Sequence, residues 1–146
     1  MTEANWNTLR AYGDLFASLS AETLGKLDDL VHEDIVFRDP FHEVKGREAM
    51  KRILARMFTE FDKPRFKVAD LAMGDDHGFI QWRFESGSTS KSEVSFDGMS
   101  AVSFCPDSSI LLHQDYWDAA ASIHARLPLV GPVVRLINRT IARRTR

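Results

Sequence analysis

The stretch HQDYWD, residues 113–118, sets a histidine and an aspartate two positions apart in a strand-like run, with Trp117 following at the same parity. Side chains two apart on a β-strand share a face. His113, Asp115 and Trp117 would therefore present an imidazole, a carboxylate and an indole together. A carboxylate in mid-strand, once buried, must find hydrogen-bond donors or hold a proton. Such a group can take a proton from a bound molecule or activate a water. His113 could assist, because its charge changes near neutral pH, or it could be a satisfied structural histidine. A second carboxylate, Asp39, stands directly before Pro40 in FRDPF. It is either another acid–base group or the start of a turn, in which aspartate bonds the backbone two residues on.

The elements that must position these groups are readable from periodicity. Leu9, Tyr12, Phe16 and Leu19 recur at helical spacing. A second, short helix is expected from about Ser20, with Leu24, Leu27, Leu30 and Val31 on one side. DIVFRDPF changes to a strand period and ends at the proline. KGREAMKRILARMFTEF gives an apolar stripe of Met50, Ile53, Leu54, Met57, Phe58 and Phe61. After Pro64 the pattern is all strand, in four runs broken by GDDHG, SGSTSKS and CPDSS, with the Gly, Asp, Ser and Pro of short connections. Helices first and antiparallel strands after argue for an α+β fold, with helices packed on one face of a curved sheet. In the second run Ile80, Trp82 and Phe84 occupy one parity and read as core, so Arg83 and Glu85 point outward, to solvent or to a partner subunit. Val94, Phe96, Val102 and Phe104 share a face of the third run, interrupted by Gly98, where a bend or bulge is expected.

Composition excludes several classes. The chain has 146 residues, 44% hydrophobic and 27% charged, which suits one soluble domain. Its net charge of −2 does not single out nucleic acid. The one cysteine, Cys105, permits no intrachain disulfide and, preceding Pro106, has no signature of a nucleophile. No metal-ligand spacing and no phosphate-binding glycine loop is present, so neither metal nor organic cofactor is expected. The N-terminus lacks a basic head followed by an apolar run, and LPLVGPVV is too short to span a bilayer; a cytoplasmic location is the expectation. Charge is uneven, however. After Asp118 there is no acidic residue, and six arginines there leave the body at −8. This tail, 119–146, reads as a basic helical extension with Val133, Leu136, Ile137 and Ile141 on one side. The plainer expectation is a helix lying over the sheet or pocket mouth, with its basic residues solvated; the sharper one is contact with an anionic membrane surface or nucleic acid.

Two helices, a short strand ending in DP, a third helix and four long strands ending in DYWD resemble the nuclear transport factor 2-like superfamily, most closely its SnoaL-like and ketosteroid isomerase-like branches. The likeness runs nearly to Asp118 and rests on the order and spacing of elements. It implies a cone, a strongly bent sheet wrapped around helices, whose open end takes a small apolar or amphipathic molecule, and commonly a homodimer. It implies catalytic carboxylates at Asp39 and Asp115; His113, on the face of Asp115, is expected as a third catalytic residue that assists them, and Phe37, Tyr12, Trp117, Phe41 and Phe58 are expected as ligand-binding aromatics. Ketosteroid isomerases place their base at the position of Asp39, and their two oxyanion donors fall at about Leu15 and Ser100. Limonene epoxide hydrolases place an aspartate at Asp115, an Arg-x-acid pair at Arg83 and Glu85, and water-holding side chains at Phe37 and Asp39. The resemblance thus implies a cofactor-independent acid–base enzyme of isomerase, cyclase or hydrolase type, with a non-catalytic binding module as the alternative.

Overall fold

The computed structural model describes residues 1–87, 93–123, 128 and 130–144; most of the SGSTSKS loop, Arg126 and Arg146 lie outside them. The order is α1 (Glu3–Ala17), a 3-10 helix (Leu24–Asp29), β1 (Val31–Arg38), β2 (Glu43–Lys45), α2 (Arg47–Glu60), β3 (Arg65–Met73), β4 (Gly78–Ser86), β5 (Val94–Phe104), β6 (Ile110–Tyr116), α3 (Ala119–Ser122) and α4 (Gly131–Arg144). Thr2 starts α1 by accepting the Asn5 N–H at 3.1 Å. Gly46 precedes α2 at φ 105°, a backbone setting that glycine adopts without steric cost.

The strands form one curved sheet in the order β2-β1-β6-β5-β4-β3. Four of its five pairings are antiparallel, and the fifth, β1 with β6, is parallel. The sheet is therefore mixed where the meander pattern alone suggested antiparallel throughout. The chain leaves β1 for α2 and the β3–β6 meander before it returns, so β1 meets β6 in the same direction. The second helix is tighter and shorter than expected, and Val31 belongs to β1 rather than to it. α1 and α2 pack on the concave face. Leu9, Tyr12, Phe16, Met50 and Leu54 are buried there against Ile80, Trp82, Phe84, Val102 and Ile110. Each such side chain contributes about 1.5–3 kcal/mol on burial.

The parity reading of β4 holds. Ile80, Trp82 and Phe84 are buried. Arg83 is exposed and pairs with Asp97 at 3.0 Å, and Glu85 bridges Lys67 at 3.1 Å on the outer face. No bulge occurs at Gly98, because pairing runs unbroken through Trp82↔Gly98. The glycine is there for the Trp82 indole, which lies over it. The breaks in register fall instead between Val31 and Val36, between Val68 and Asp70, and between Ser103 and Phe104. Among the described residues no helix is long and apolar enough to cross a membrane.

Candidate functional site

Parallel pairing of β1 with β6 sets Phe37 beside His113 and Arg38 beside Gln114. One step further along both strands stand Asp39 and Asp115. Both line one cavity of about 310 Å³ between α2 and the sheet, at the lower end of the usual size for small-molecule sites. Its walls are mostly apolar, with Ile53, Leu54 and Met57 from α2 and Phe66, Trp82 and Phe84 from the sheet. Asp39, His42, Arg56, Glu60 and Asp115 are its polar side chains.

Asp115 is held by a chain of buried and partly buried hydrogen bonds. Its Oδ1 lies 2.6 Å from His113 Nε2 and accepts the Ser100 hydroxyl at 2.5 Å. Ser100 Oγ in turn accepts the Trp82 indole N–H at 2.9 Å. On the other side, the Tyr12 hydroxyl lies 2.6 Å from His113 Nδ1. One assignment satisfies every donor. The phenol donates to Nδ1, and Nε2 carries the ring proton and donates to Asp115 Oδ1. Both bonds land on Oδ1, and Oδ2 has no protein donor among the described residues. Asp115 keeps 15% of its side chain exposed, whereas His113 keeps 2%. The carboxylate is thus presented to the cavity and the imidazole stands behind it, in a box of rings that includes Phe37 at 5.0 Å and Phe16 at 5.6 Å between centroids. A separate void of about 20 Å³, room for about one water, touches Ser100, His113 and Asp115.

Asp39 is differently engaged. Its Oδ1 accepts the backbone N–H groups of Phe41 and His42, each at 2.7 Å, and both oxygens lie 3.0 Å from His42 Nδ1. This is the turn geometry that Asp-Pro favours. Asp39 is both a cavity wall and the anchor of the β1–β2 turn.

Of the aromatics expected at the ligand, Phe37, Phe41 and Trp117 line the cavity. Trp117 stacks on Phe96 with centroids 4.5 Å apart and meets the edge of Phe41 at 5.4 Å. Tyr12 and Phe58 do not reach the wall. Tyr12 is fully buried behind His113, and Phe58 packs against the core. Tyr116 points outward and is 62% exposed. Leu15, at one oxyanion-donor position, is core. Ser100, at the other, faces the site but spends its proton on Asp115. The sequence reading missed Ser100 and Trp82 as partners of Asp115, and His42, Arg56 and Ile123 as wall. Ser100 shares the parity of Phe96 and Val102, but its place opposite Asp115 is a matter of register between β5 and β6.

Burial pushes the Tyr12 phenol well above its ordinary 10.0, and the Asp115 charge adds to that. A raised value in the folded state means that the neutral phenol stabilises the fold. That contribution is full below the ordinary phenol value and is lost as pH climbs above it toward the raised one. Tyr12→Phe is therefore expected to lose about 1–3 kcal/mol at neutral pH, because Nδ1 loses its donor, and to fall less steeply with pH above about 10. Urea titrations of both proteins at neutral and alkaline pH check this, and parallel slopes would remove Tyr12 from the alkaline transition.

A family model for the SnoaL-like domain matches residues 12–113. Comparison with curated proteins returns no match. Solved structures of similar fold include a protein of unknown function with an NTF2-like fold from Exiguobacterium sp. 255-15, 23% identical over 76% of this chain and 98% of its own, TM-score 0.65. An LEH-like epoxide hydrolase of M. tuberculosis is 18% identical over 92% of this chain and 97% of its own, also at 0.65. A steroid delta-isomerase from Pseudomonas aeruginosa is 19% identical over 97% of both chains, again at 0.65. At these identities the likeness is one of fold, and one fold carries all three. The match from Tyr12 to His113 spans more than half the sequence, and the chain belongs to the SnoaL-like domain family, on the nuclear transport factor 2-like fold.

Proposed function

We propose that the protein binds a small apolar or amphipathic molecule in the α2–sheet cavity and moves a proton with Asp115. The observation that carries this reading is a carboxylate in an apolar wall, fixed through one oxygen and open at the other. Oδ2 would accept a proton from an acidified C–H or O–H of the ligand, or from a water that attacks it. His113 would hold the carboxylate in place and keep its own Nε2–H on Oδ1 as the charge there changes. Asp39 would be a second, turn-bound carboxylate on the wall, with His42 beside it, rather than the base.

The likeness to an epoxide hydrolase and to a steroid isomerase supports two substrate classes, epoxides and enolisable ketones. One observation favours a non-catalytic binding module instead. No tyrosine lines the described cavity wall as the oxyanion donor of a ketosteroid isomerase does, since Tyr12 is behind His113 and Tyr116 points away. The test is incubation with a panel of enolisable ketones in deuterated water and of epoxides in heavy-oxygen water, read by mass spectrometry, with ligand binding followed by NMR on the same panel. Label incorporation that Asp115→Asn abolishes supports the enzyme. Tight binding without incorporation for any compound makes the protein a binding module.

A further inference from the structure

We propose that α4 docks the protein on an anionic lipid surface. Gly131 and Pro132 open this 14-residue helix, a start that proline's fixed φ favours. Val133, Leu136, Ile137 and Ile141 recur at helical spacing on one side and are 51–65% exposed. Large aliphatic side chains left in water along one stripe are not what a helix folded over its own sheet shows, and α4 packs chiefly against the short α3. Arg135, Arg139 and Arg143 follow at every fourth position on another side, with Arg144 after them. No acidic residue occurs within α4 or anywhere after Asp118. The helix sequence therefore has four arginines and no acidic side chain.

An apolar stripe beside a purely cationic flank asks for a partner that is oily and negative side by side. The interface of an anionic bilayer offers both, with no register to match. At 14 residues α4 is too short to span a bilayer, so it would lie in the interface plane. The body's −8 charge would keep the rest of the chain off that surface and leave the contact to the helix. α3, against which α4 packs, touches β5, and Ile123 at its end lines the cavity. A docked α4 would hold the cavity close to the membrane, where amphipathic molecules concentrate. The inference does not rest on Asp115 or on any reaction.

The test is co-sedimentation of the full chain with vesicles of phosphatidylcholine alone and of phosphatidylcholine with phosphatidylglycerol. Two variants accompany it, Leu136→Asp with Ile137→Asp, and Arg139→Ser with Arg143→Ser. The altered side chains are on the exposed helix, and an unchanged thermal midpoint verifies the fold. The expected result is binding at least about tenfold tighter to the anionic vesicles, weakened by salt and reduced at least about tenfold by either variant. Absence of pelleting with anionic vesicles at low salt overturns the proposal. So does unchanged binding by the aspartate variant, which would mean that the apolar stripe takes no part in the contact. Tighter binding to duplex DNA, indifferent to Leu136 and Ile137, would assign the tail to nucleic acid. A dimer that the aspartate variant dissociates, with no vesicle binding, would make α4 an interface between copies.

Discussion

Asp115→Asn is expected to slow proton transfer with a responsive substrate by about two to four orders of magnitude, the usual worth of a positioned general base, while the fold and the apolar part of ligand affinity stay nearly unchanged. The substitution is close to isosteric. The amide oxygen can still accept the Ser100 hydroxyl and the His113 Nε2–H that now reach Oδ1. The amide nitrogen then occupies the place of Oδ2, and the cavity meets two donor hydrogens where it had lone pairs. No proton can be taken there, and a ligand hydroxyl that donated to Oδ2 loses its acceptor. Asp39→Asn supplies the contrast. Its Oδ1 accepts two backbone N–H groups, a task that an amide oxygen performs as well, so the expected change in rate is within about tenfold. Rates of deuterium incorporation for the two variants beside the unaltered protein measure the difference. A fall of only a few-fold for Asp115→Asn, or a larger fall for Asp39→Asn, would shift the base to the other carboxylate and undo the reading of Oδ2.

Particular residues show how far the sequence could be read and where it stopped. The shared face of His113, Asp115 and Trp117 follows from parity alone, because spacing along a strand does not depend on which neighbour the strand meets. The inward Ile80, Trp82 and Phe84 follow in the same way. Pairing information is of another kind. Ser100 looks like any small polar strand residue until β5 is laid against β6 with Ser100 opposite Asp115. Tyr12 sits in the α1 stripe like a core residue and is one; its hydroxyl matters because β6 sets His113 Nδ1 above it. The parallel β1–β6 contact depends on which strand closes beside the first, and hairpin signals do not encode that. Asp39 had two readings that local chemistry could not separate, and the turn reading describes its hydrogen bonds. The short β2 escaped because three residues, Glu43–Lys45, carry no period. For α4, periodicity gave the helix and its stripe, but not that the stripe stays in water.

Gly98 carries a prediction of comparable size, in stability rather than rate. It stands opposite Trp82 in the β4–β5 ladder, and the indole lies over it. A β-carbon built there would come within 2.5 Å of Cζ2 and 2.7 Å of Cζ3, and nearer still to Cη2. The ring has little room to retreat. Phe66 meets it edge-on at 5.2 Å and Phe96 lies at 6.1 Å between centroids. Gly98→Ala must therefore tilt the indole and pull its N–H from Ser100 Oγ, 2.9 Å away. Overpacking costs about 1–3 kcal/mol, and the broken buried hydrogen bond adds about 1 kcal/mol. Stiffening the unfolded chain returns about 0.4–1 kcal/mol, since the backbone at 98 suits an alanine. The net loss is about 1–3.5 kcal/mol, which lowers the melting midpoint of a chain this size by roughly 3–12 °C. Trp82→Phe shortens the ring and removes the N–H, so it is destabilising alone, yet it makes room for the alanine. A double-mutant cycle by urea denaturation should show the pair less harmful than the sum by about 1–2 kcal/mol. Strict additivity, or a neutral Gly98→Ala, would mean that the indole is not seated over residue 98. The same variant also bears on the site. With Trp82 turned away, Ser100 keeps its proton for Asp115 but loses the donor that orients it, so any proton transfer by Asp115 should weaken in Gly98→Ala although residue 98 does not line the cavity.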